Sequence, residues 1–506
     1  MQDTMTHTPP PDLSDPATRR RVNISIAAVL LALMLSALNE NIVATALPTI
    51  VSDLGGLEHL SWAVTAYFLA STVVLPVYGK LGDVFGRKLM LQAAVVIFLL
   101  GTVLCAVAQN MTQLMIFRGL QGIGGGGLTV ITMTTIAELV PLRERGRYQG
   151  VSGAVFGVAT VIGPLIGGLC VDHLTWRWIF YVNLPLGMIA LVALSIVLPR
   201  PPALSGRPAI DYLGAILLGS ALTALVLLSS FAGAATQGRS LEIIGLAVLT
   251  LACVGAFLVV ERSAPDAMLP LSLFSFRAFS VSTCVGLTMG IGLSSTVYLP
   301  LYLQAVKGLS PSASGLTIMP LMAGVITSSM VSGRIIARTG RYKIFPLIGT
   351  AVTTCALVAF AVVPTAAPNW TMVACSAVLG LGMGMVMQVI TLATQNAVPR
   401  HQMGAATASV TLARSVGMTA GVAAFGTLMN LWLGARLGAG AAEGPQFDLA
   451  ALAGAAPGER AELVAALSGA LHLVFAGGAA MYALAFLTAW ALPDTRLPTA
   501  PKRRRS

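Results

Sequence analysis

Apolar residues run along this chain in fourteen blocks, separated by short polar stretches. The blocks cover roughly 22–47, 60–79, 89–108, 112–137, 149–171, 177–198, 211–232, 241–260, 279–304, 312–333, 344–363, 370–393, 404–432 and 467–492. A helix needs about 20 predominantly apolar residues to cross a bilayer core. Blocks of that length, without the strict alternation of half-buried strands, predict membrane-spanning helices. The pattern is weakest in the seventh and eighth blocks, where Gly, Ala and Ser dilute it. The expected fold class is therefore all-α integral membrane, with 14 transmembrane helices. Two polar linkers, Pro199–Pro208 and Glu261–Pro270, divide the blocks into six, two and six. That division gives a tail at 1–21, a six-helix bundle at 22–200, an inserted two-helix segment at 201–266 and a second six-helix bundle at 267–493. The second bundle carries a long external loop at 433–466, in which 457–462 is expected to form a short surface helix. A basic tail, 494–506, closes the chain.

Composition sharpens this picture. Of 506 residues, 56% are hydrophobic and 10% are charged, against about 25% charged in a typical soluble domain. The net charge of +11 does not indicate nucleic acid, because its location follows the membrane pattern. Twenty-three of the 30 Lys and Arg fall on the side of the N-terminus, five fall on the other side, and Arg118 and Arg414 lie within blocks. The excess of basic residues in cytoplasmic loops predicts that both termini are cytoplasmic. Arg19-Arg20-Arg21 precede a full-length first block with no clear cleavage site, so it is read as retained. The six Cys all fall inside blocks and none is in a CxxC pair, so neither an extracellular disulfide nor a metal site is expected. No cofactor is expected either. Gly122–Gly127 contains a formal GxGxxG, but it lies inside a span with no strand before it, and the dinucleotide reading is rejected. No phosphate-binding GK[ST] loop or catalytic triad is present, and an enzyme is not expected.

The chemistry concentrates in a few polar positions. Glu40 lies inside the first block, whereas every other Asp and Glu falls in a tail, a loop or a block end. A carboxylate held in the membrane is costly and marks a functional site by default, most often a proton or ion path. Arg118, about six residues inside the outer end of the fourth block, lies at a similar depth, near 10 Å at 1.5 Å per residue. A direct or water-mediated pair with Glu40 is expected; snorkelling of Arg118 to the outer interface is the alternative. Ser36, Ala37 and Ala44 share a helical face with Glu40 and would line a cavity. Asn39, Asn41, Gln121, Tyr298, Gln388 and Arg414 complete the candidate substrate cavity.

An internal repeat follows the second and tenth blocks. Its first copy runs Gly79-Lys80-Leu81-Gly82-Asp83-Val84-Phe85-Gly86-Arg87-Lys88 and its second Gly333–Lys343, each pairing an opening Gly with a Gly-Arg seven residues later. Duplication of this kind is typical of transporters that rock two halves about a central site. The first copy resembles the signature loop of the major facilitator superfamily. Other strings resemble the fourteen-span drug:proton antiporter branch of that family, the multidrug efflux transporters. They are Thr45-Ala46-Leu47-Pro48, Trp176–Pro185 and Gln395–Pro399. Arg118 with Gln121-Gly122 resembles the family's span-four motif, and Gly153, Gly157, Gly163, Pro164, Gly167 and Gly168 resemble its antiporter motif. That branch usually carries Asp at the position of Asn39; here the carboxylate has moved to Glu40.

The resemblance implies two six-helix bundles with two inserted central helices, and a latch made by Gly79, Asp83, Gly86, Arg87 and Lys88 with Glu138. In the second copy Ala337 replaces Asp83, so its latch is expected to be weaker or absent. The resemblance further implies proton-driven efflux of small amphipathic compounds by alternating access, with Glu40 and Arg118 as the proton-coupling pair. The expected partners are substrate, protons and lipid bilayer, with no nucleic acid, and a monomer in the plasma membrane, the bacterial inner membrane. A dedicated exporter of one metabolite, a lipid or glycolipid transporter, and a non-transporting membrane sensor stand as alternatives on the same scaffold.

Overall fold

A computed structural model describes residues 15–54, 60–142, 144–199, 211–233, 240–264, 267–437, 457–494 and 496. Among them, fourteen helices are long and apolar enough to cross a bilayer, one for each predicted block. They are α1 (Pro16–Leu54), α2 (Leu60–Phe85), α3 (Arg87–Ala106), α4 (Met111–Leu139), α5 (Arg145–His173), α6 (Asn183–Val197, preceded by the single turn Trp178–Tyr181), α7 (Tyr212–Gly233) and α8 (Ser240–Ser263). The second half holds α9 (Arg277–Ser294), α10 (Pro311–Thr339), α11 (Ile344–Val362), α12 (Asn369–Ala397), α13 (Met403–Leu437) and α14 (Pro457–Ala489). Most of the linker 199–208 and of the external loop 433–466 lies outside the described residues. The expected surface helix at 457–462 is instead the first turn of α14, because the stretch Glu459–Ala466 carries no Gly or Pro to break the helix before the last span.

Local signals set several boundaries. Asn110 caps α4 by accepting from the Gln113 N–H at 2.9 Å, and Ser310 caps α10, with Pro311 at its first position. Both satisfy amides that a helix start leaves unpaired. After α9 the backbone does not continue as one regular helix. It passes through a 3₁₀ turn (Ser295–Tyr298), a short helical turn (Leu299–Leu301) and a π turn (Tyr302–Val306). Pro300 removes an amide there, and the hydroxyls of Ser294, Ser295 and Thr296 bond back to the carbonyls of Ile291, Gly292 and Leu293. Back-bonding and proline are the usual causes of such breaks.

Helices α1–α6 form one bundle, with Tyr67, Leu91 and Phe98 in its interior. Helices α9–α14 form the other, around Met289, Tyr302, Phe360, Phe475 and Tyr482. The inserted α7 packs against both α2 and α13, and a shared apolar cluster of Leu75, Leu218, Leu222, Phe257, Ala408 and Leu412 joins them. Helix α8 stays peripheral: Leu241, Leu251 and Val259 are 83%, 73% and 66% exposed, as suits a lipid-facing helix.

The bundles meet along two seams, α5 against α10 and α2 against α13. Both are tightest toward the end of the molecule that is rich in Lys and Arg, here called the basic end. Each rests on paired small residues: the carbonyl of Gly146 occupies the space a Cβ at Gly333 would need, and that of Gly79 the space a Cβ at Gly404 would need. Backbones approach this closely in membranes only where side chains are absent. A Gly333→Leu variant is expected to insert normally but to lose about 1–3 kcal/mol of stability, the usual cost of overpacking. Thermal unfolding in detergent checks this. The lipid-facing Gly255, with nothing near its would-be Cβ, should tolerate Leu without a shift.

Candidate functional site

At the basic end, α2 runs to Phe85 and α3 starts at Arg87, with only Gly86 between them. Gly86 sits at φ 87° and ψ 149°, a conformation open essentially to glycine alone. The second repeat places Gly340 likewise at positive φ, 71°, where α10 ends. The ordered glycine of each copy is thus the residue that turns the chain.

The turn aims Arg87 inward. Its Nε donates to Glu138 Oε1 at 2.9 Å and its Nη2 to Asp83. Asp83 also receives the first amides of α13, Gly404 N–H at 2.9 Å and Ala405 N–H at 3.0 Å. An acidic group at a helix N-terminus meets unpaired amides and the positive end of the helix dipole. Asp83 therefore ties its own half to the opposite one, while Arg87 and Glu138 fix its position. Lys88 points elsewhere, donating to the carbonyls of Ser195 and Leu198 at the end of α6. A second bridge was not anticipated from the sequence. Arg145 of α5 donates to the Gln395 carbonyl and to Asn396 Oδ1, and Gln149 donates to Gln395 Oε1 at 3.0 Å. The available signal was faint: Gln149 and Gln395 are amide side chains at the basic-end edges of their apolar blocks.

Deeper in the first bundle lies a sealed polar network. Arg118 is 1% exposed, so it does not snorkel. Its Nε donates to the Ala63 carbonyl at 3.1 Å, its Nη1 to Gln121 Oε1 at 2.8 Å, and its guanidinium stacks 4.5 Å from the centre of the Tyr67 ring. Gln121 in turn donates to Thr102 and to Asn39 Oδ1. Asn39 and Gln121 have no exposed surface; they belong to the bundle interior, not to a cavity wall. Ser36 and Ala37 are likewise buried, and Ser36 is bonded to Tyr67 and the Gly125 carbonyl. The expected cavity face of α1 is in this respect wrong, because α2 and α4 cover Ser36 and α5 covers Ala37.

Glu40 remains half-buried and is not salt-bridged to Arg118: among the described residues it makes no ion pair or hydrogen bond. It lies in the field of Arg118 and of Arg414, which is half-buried on α13 in the opposite half. The other candidate cavity residues scatter. Asn41 bonds to the Ala37 carbonyl, the Tyr298 hydroxyl donates to the Val422 carbonyl at 3.0 Å, and Gln388 is buried beside Gly153 at the seam.

The glycine series of α5 also divides. Gly153 and Gly157 face Ser329 and Ile326 of α10, whereas Gly163 and Gly167 face Asn41, Ile42 and Thr45 of α1. Pro164 is exposed and Gly168 faces open space. One helix thus serves two neighbours: its basic-end half packs across the junction and its other half packs within its own bundle.

Comparison with known proteins agrees with this architecture. Residues 29–422 match the profile of the Major Facilitator Superfamily. An uncharacterized MFS-type transporter of Mycobacterium tuberculosis is 41% identical over 428 residues, covering 84% of this chain. The match spans only 62% of that relative's own length. The multidrug transporter protein MdtP of Bacillus subtilis is 37% identical over 83% of this chain and 77% of its own, and Multidrug resistance protein 3 of the same organism is 34% identical over 80% and 79%. In fold, the proton:xylose symporter XylE superposes with a TM-score of 0.65 at 15% identity, covering 95% of this chain and 98% of that one.

Replacing Asp83 with Asn should weaken the charge-assisted bonds to α13. Such bonds are worth about 1.5–3 kcal/mol, so the amides of Gly404 and Ala405 are expected to exchange hydrogen about tenfold faster or more. Hydrogen–deuterium exchange on a peptide containing Gly404 and Ala405 measures this, with a peptide from the lipid-facing α8 as reference.

Proposed function

Because the chain belongs to the major facilitator superfamily, we propose that it exports small amphipathic compounds in exchange for protons by alternating access, from a plasma membrane with both termini in the cytoplasm. The observation that carries this reading is Glu40: a half-buried carboxylate, unpaired among the described residues, lying in the fields of an arginine from each half. The multidrug names of the relatives at 34% and 37% identity support the substrate class.

In this reading the basic end is cytoplasmic and the conformation described is closed there. The Asp83 bridge to α13 and the Arg145–Gln149–Gln395 bridge hold it shut. A proton arriving from outside neutralises Glu40. Its attraction to Arg414 across the junction then disappears, and with it one of the forces favouring the present arrangement. The halves rock, the cytoplasmic bridges part, and a substrate arriving from the cytosol or inner leaflet displaces the proton. A gradient drives such a cycle only through differential interaction with the two states. Glu40 fulfils that condition because the charge it answers across the junction, on Arg414, moves with the other half. Arg118 holds its place in the first bundle and supplies a constant positive field rather than a moving partner.

Purified protein in proteoliposomes is expected to release protons to the lumen or take them up as an amphipathic substrate moves the other way. Glu40→Gln should reduce this exchange at least tenfold while leaving substrate binding measurable. Unchanged exchange in the Gln variant would remove Glu40 from the coupling.

A further inference from the structure

A cavity of about 370 Å³ opens at the basic end, and none of Glu40, Arg118 and Arg414 lines it. It is bounded by the first turn of α9, the end of α12, the turn between α10 and α11, and the stretch that follows α14. Leu142, between α4 and α5, adds a wall from the first bundle. Two hydrogen bonds build the site. The Tyr342 hydroxyl donates to the Pro493 carbonyl at 3.2 Å, and Arg277 Nε donates to the Ala491 carbonyl at 3.0 Å. They hold the stretch after α14 against the bundle and leave the terminal nitrogens of Arg277 without a partner among the described residues. Arg277 and Arg496 are exposed, whereas Ala278, Tyr342 and Ala393 are buried. The two guanidiniums therefore stand at the mouth and the floor is largely apolar. Among the described residues, no acid lines the cavity.

One donor in the wall is unsatisfied. Asn396 Oδ1 accepts from Arg145 of α5 at 2.9 Å, but its Nδ2 is buried and has no hydrogen-bond partner among the described residues. A buried donor left unpaired is costly, and a ligand oxygen would relieve it. Helix α9 begins at the cavity without a side-chain cap, so its first amides add to the positive end of its dipole. These features favour an anion. The apolar walls favour one with an apolar body, which inorganic phosphate lacks. A phospholipid would present its parts in the wrong order: its headgroup would enter while its chains stayed in the bilayer, yet here the charge is at the mouth and the apolar surface within. An organic acid entering body first matches both, and the volume lies at the lower end of the roughly 300–1,000 Å³ of small-molecule sites. We propose that this cavity binds a small amphipathic carboxylate, its body against Leu142 and Phe276, its acid at Arg277 and Arg496, with the Asn396 amide as a further donor. Leu142 belongs to the first bundle, and Asn396 is also held by Arg145 from it. The cavity is therefore complete only while the halves meet at the basic end. A ligand that binds one state alone shifts the equilibrium toward it, so occupancy holds the basic end closed.

The test uses 4-benzoylbenzoate, a photoreactive aryl carboxylate, and 4-benzoylbenzamide, which shares its body and lacks its charge. The full-length chain is held in phosphatidylcholine nanodiscs, and labelled peptides are identified by mass spectrometry. The acid is expected to label peptides containing Leu142, Phe276 or Tyr342 saturably, at about tenfold lower concentration than the amide, the factor a charge-assisted contact supplies. Arg277→Gln combined with Arg496→Gln should bring the acid down to the amide. Ala397→Phe, which fills the cavity and keeps both arginines, should abolish labelling by either, and an unchanged thermal unfolding midpoint shows that each variant has folded. At saturating acid the amides of Gly404 and Ala405 should exchange hydrogen roughly twofold more slowly or better, and should not respond in the double variant. Equal labelling by acid and amide, the same acid preference in the double variant, or label on other peptides alone overturns the proposal; so does saturable labelling with unchanged exchange. Loss of labelling when the nanodiscs contain phosphatidylglycerol overturns it as well, by making a lipid headgroup the occupant.

Discussion

The constraint on which this molecule depends is the treatment of three charges held deep in an apolar slab. A charge in such surroundings must be paired, hydrogen-bonded or given water. Arg118 is hydrogen-bonded: a carbonyl, an amide oxygen and an aromatic face enclose it. Glu40 and Arg414 differ. They belong to opposite bundles, each feels the charge of the other, and neither closes into an ion pair among the described residues. Both stay half-buried where Arg118 is enclosed.

The packing between halves is uneven along the helices. Toward the basic end, glycines let α5 approach α10 and α2 approach α13 closely, and polar bridges then fasten the approach. Toward the other end, the glycines of α5 turn instead to α1 of its own bundle. The closest approaches between the halves therefore lie toward the basic end. The inserted α7 lies on the α2–α13 seam, touching both halves through one apolar cluster. Non-directional contacts of this kind tolerate sliding better than hydrogen bonds do.

Much of the architecture was legible in the sequence because the bilayer imposes it. Length and hydropathy alone mark all fourteen spans, and the Gly-Arg repeat marks two equivalent turns whose glycines adopt positive φ. The site was only partly legible. The depths of Glu40 and Arg118 follow from counting along a helix, but their directions do not. A soluble helix betrays its inward face through a polar opposite face. In a membrane both lipid and interior are apolar, so that signal vanishes, and the rotation of α1 cannot be read from its residues. Hence Ser36, Ala37 and Asn39 were expected to help form a cavity wall and are instead covered by neighbouring helices. Gln149 and Gln395 show the converse: nothing in the sequence joins them, and only the fold shows that they meet.

The placing of the carboxylate at position 40 rather than 39 follows the same logic. Position 39 faces the interior of the first bundle, where Gln121 bonds Asn39. A carboxylate there would lie within the network that encloses Arg118 and would be drawn into a closed pair. One step along a helix turns a side chain by about 100°, and Glu40 accordingly keeps partial exposure and stays out of that network. The result is a carboxylate that feels the charge of Arg118 in its own bundle and of Arg414 in the other. A buried Asp–Arg pair within one bundle would have been indifferent to how the two bundles sit.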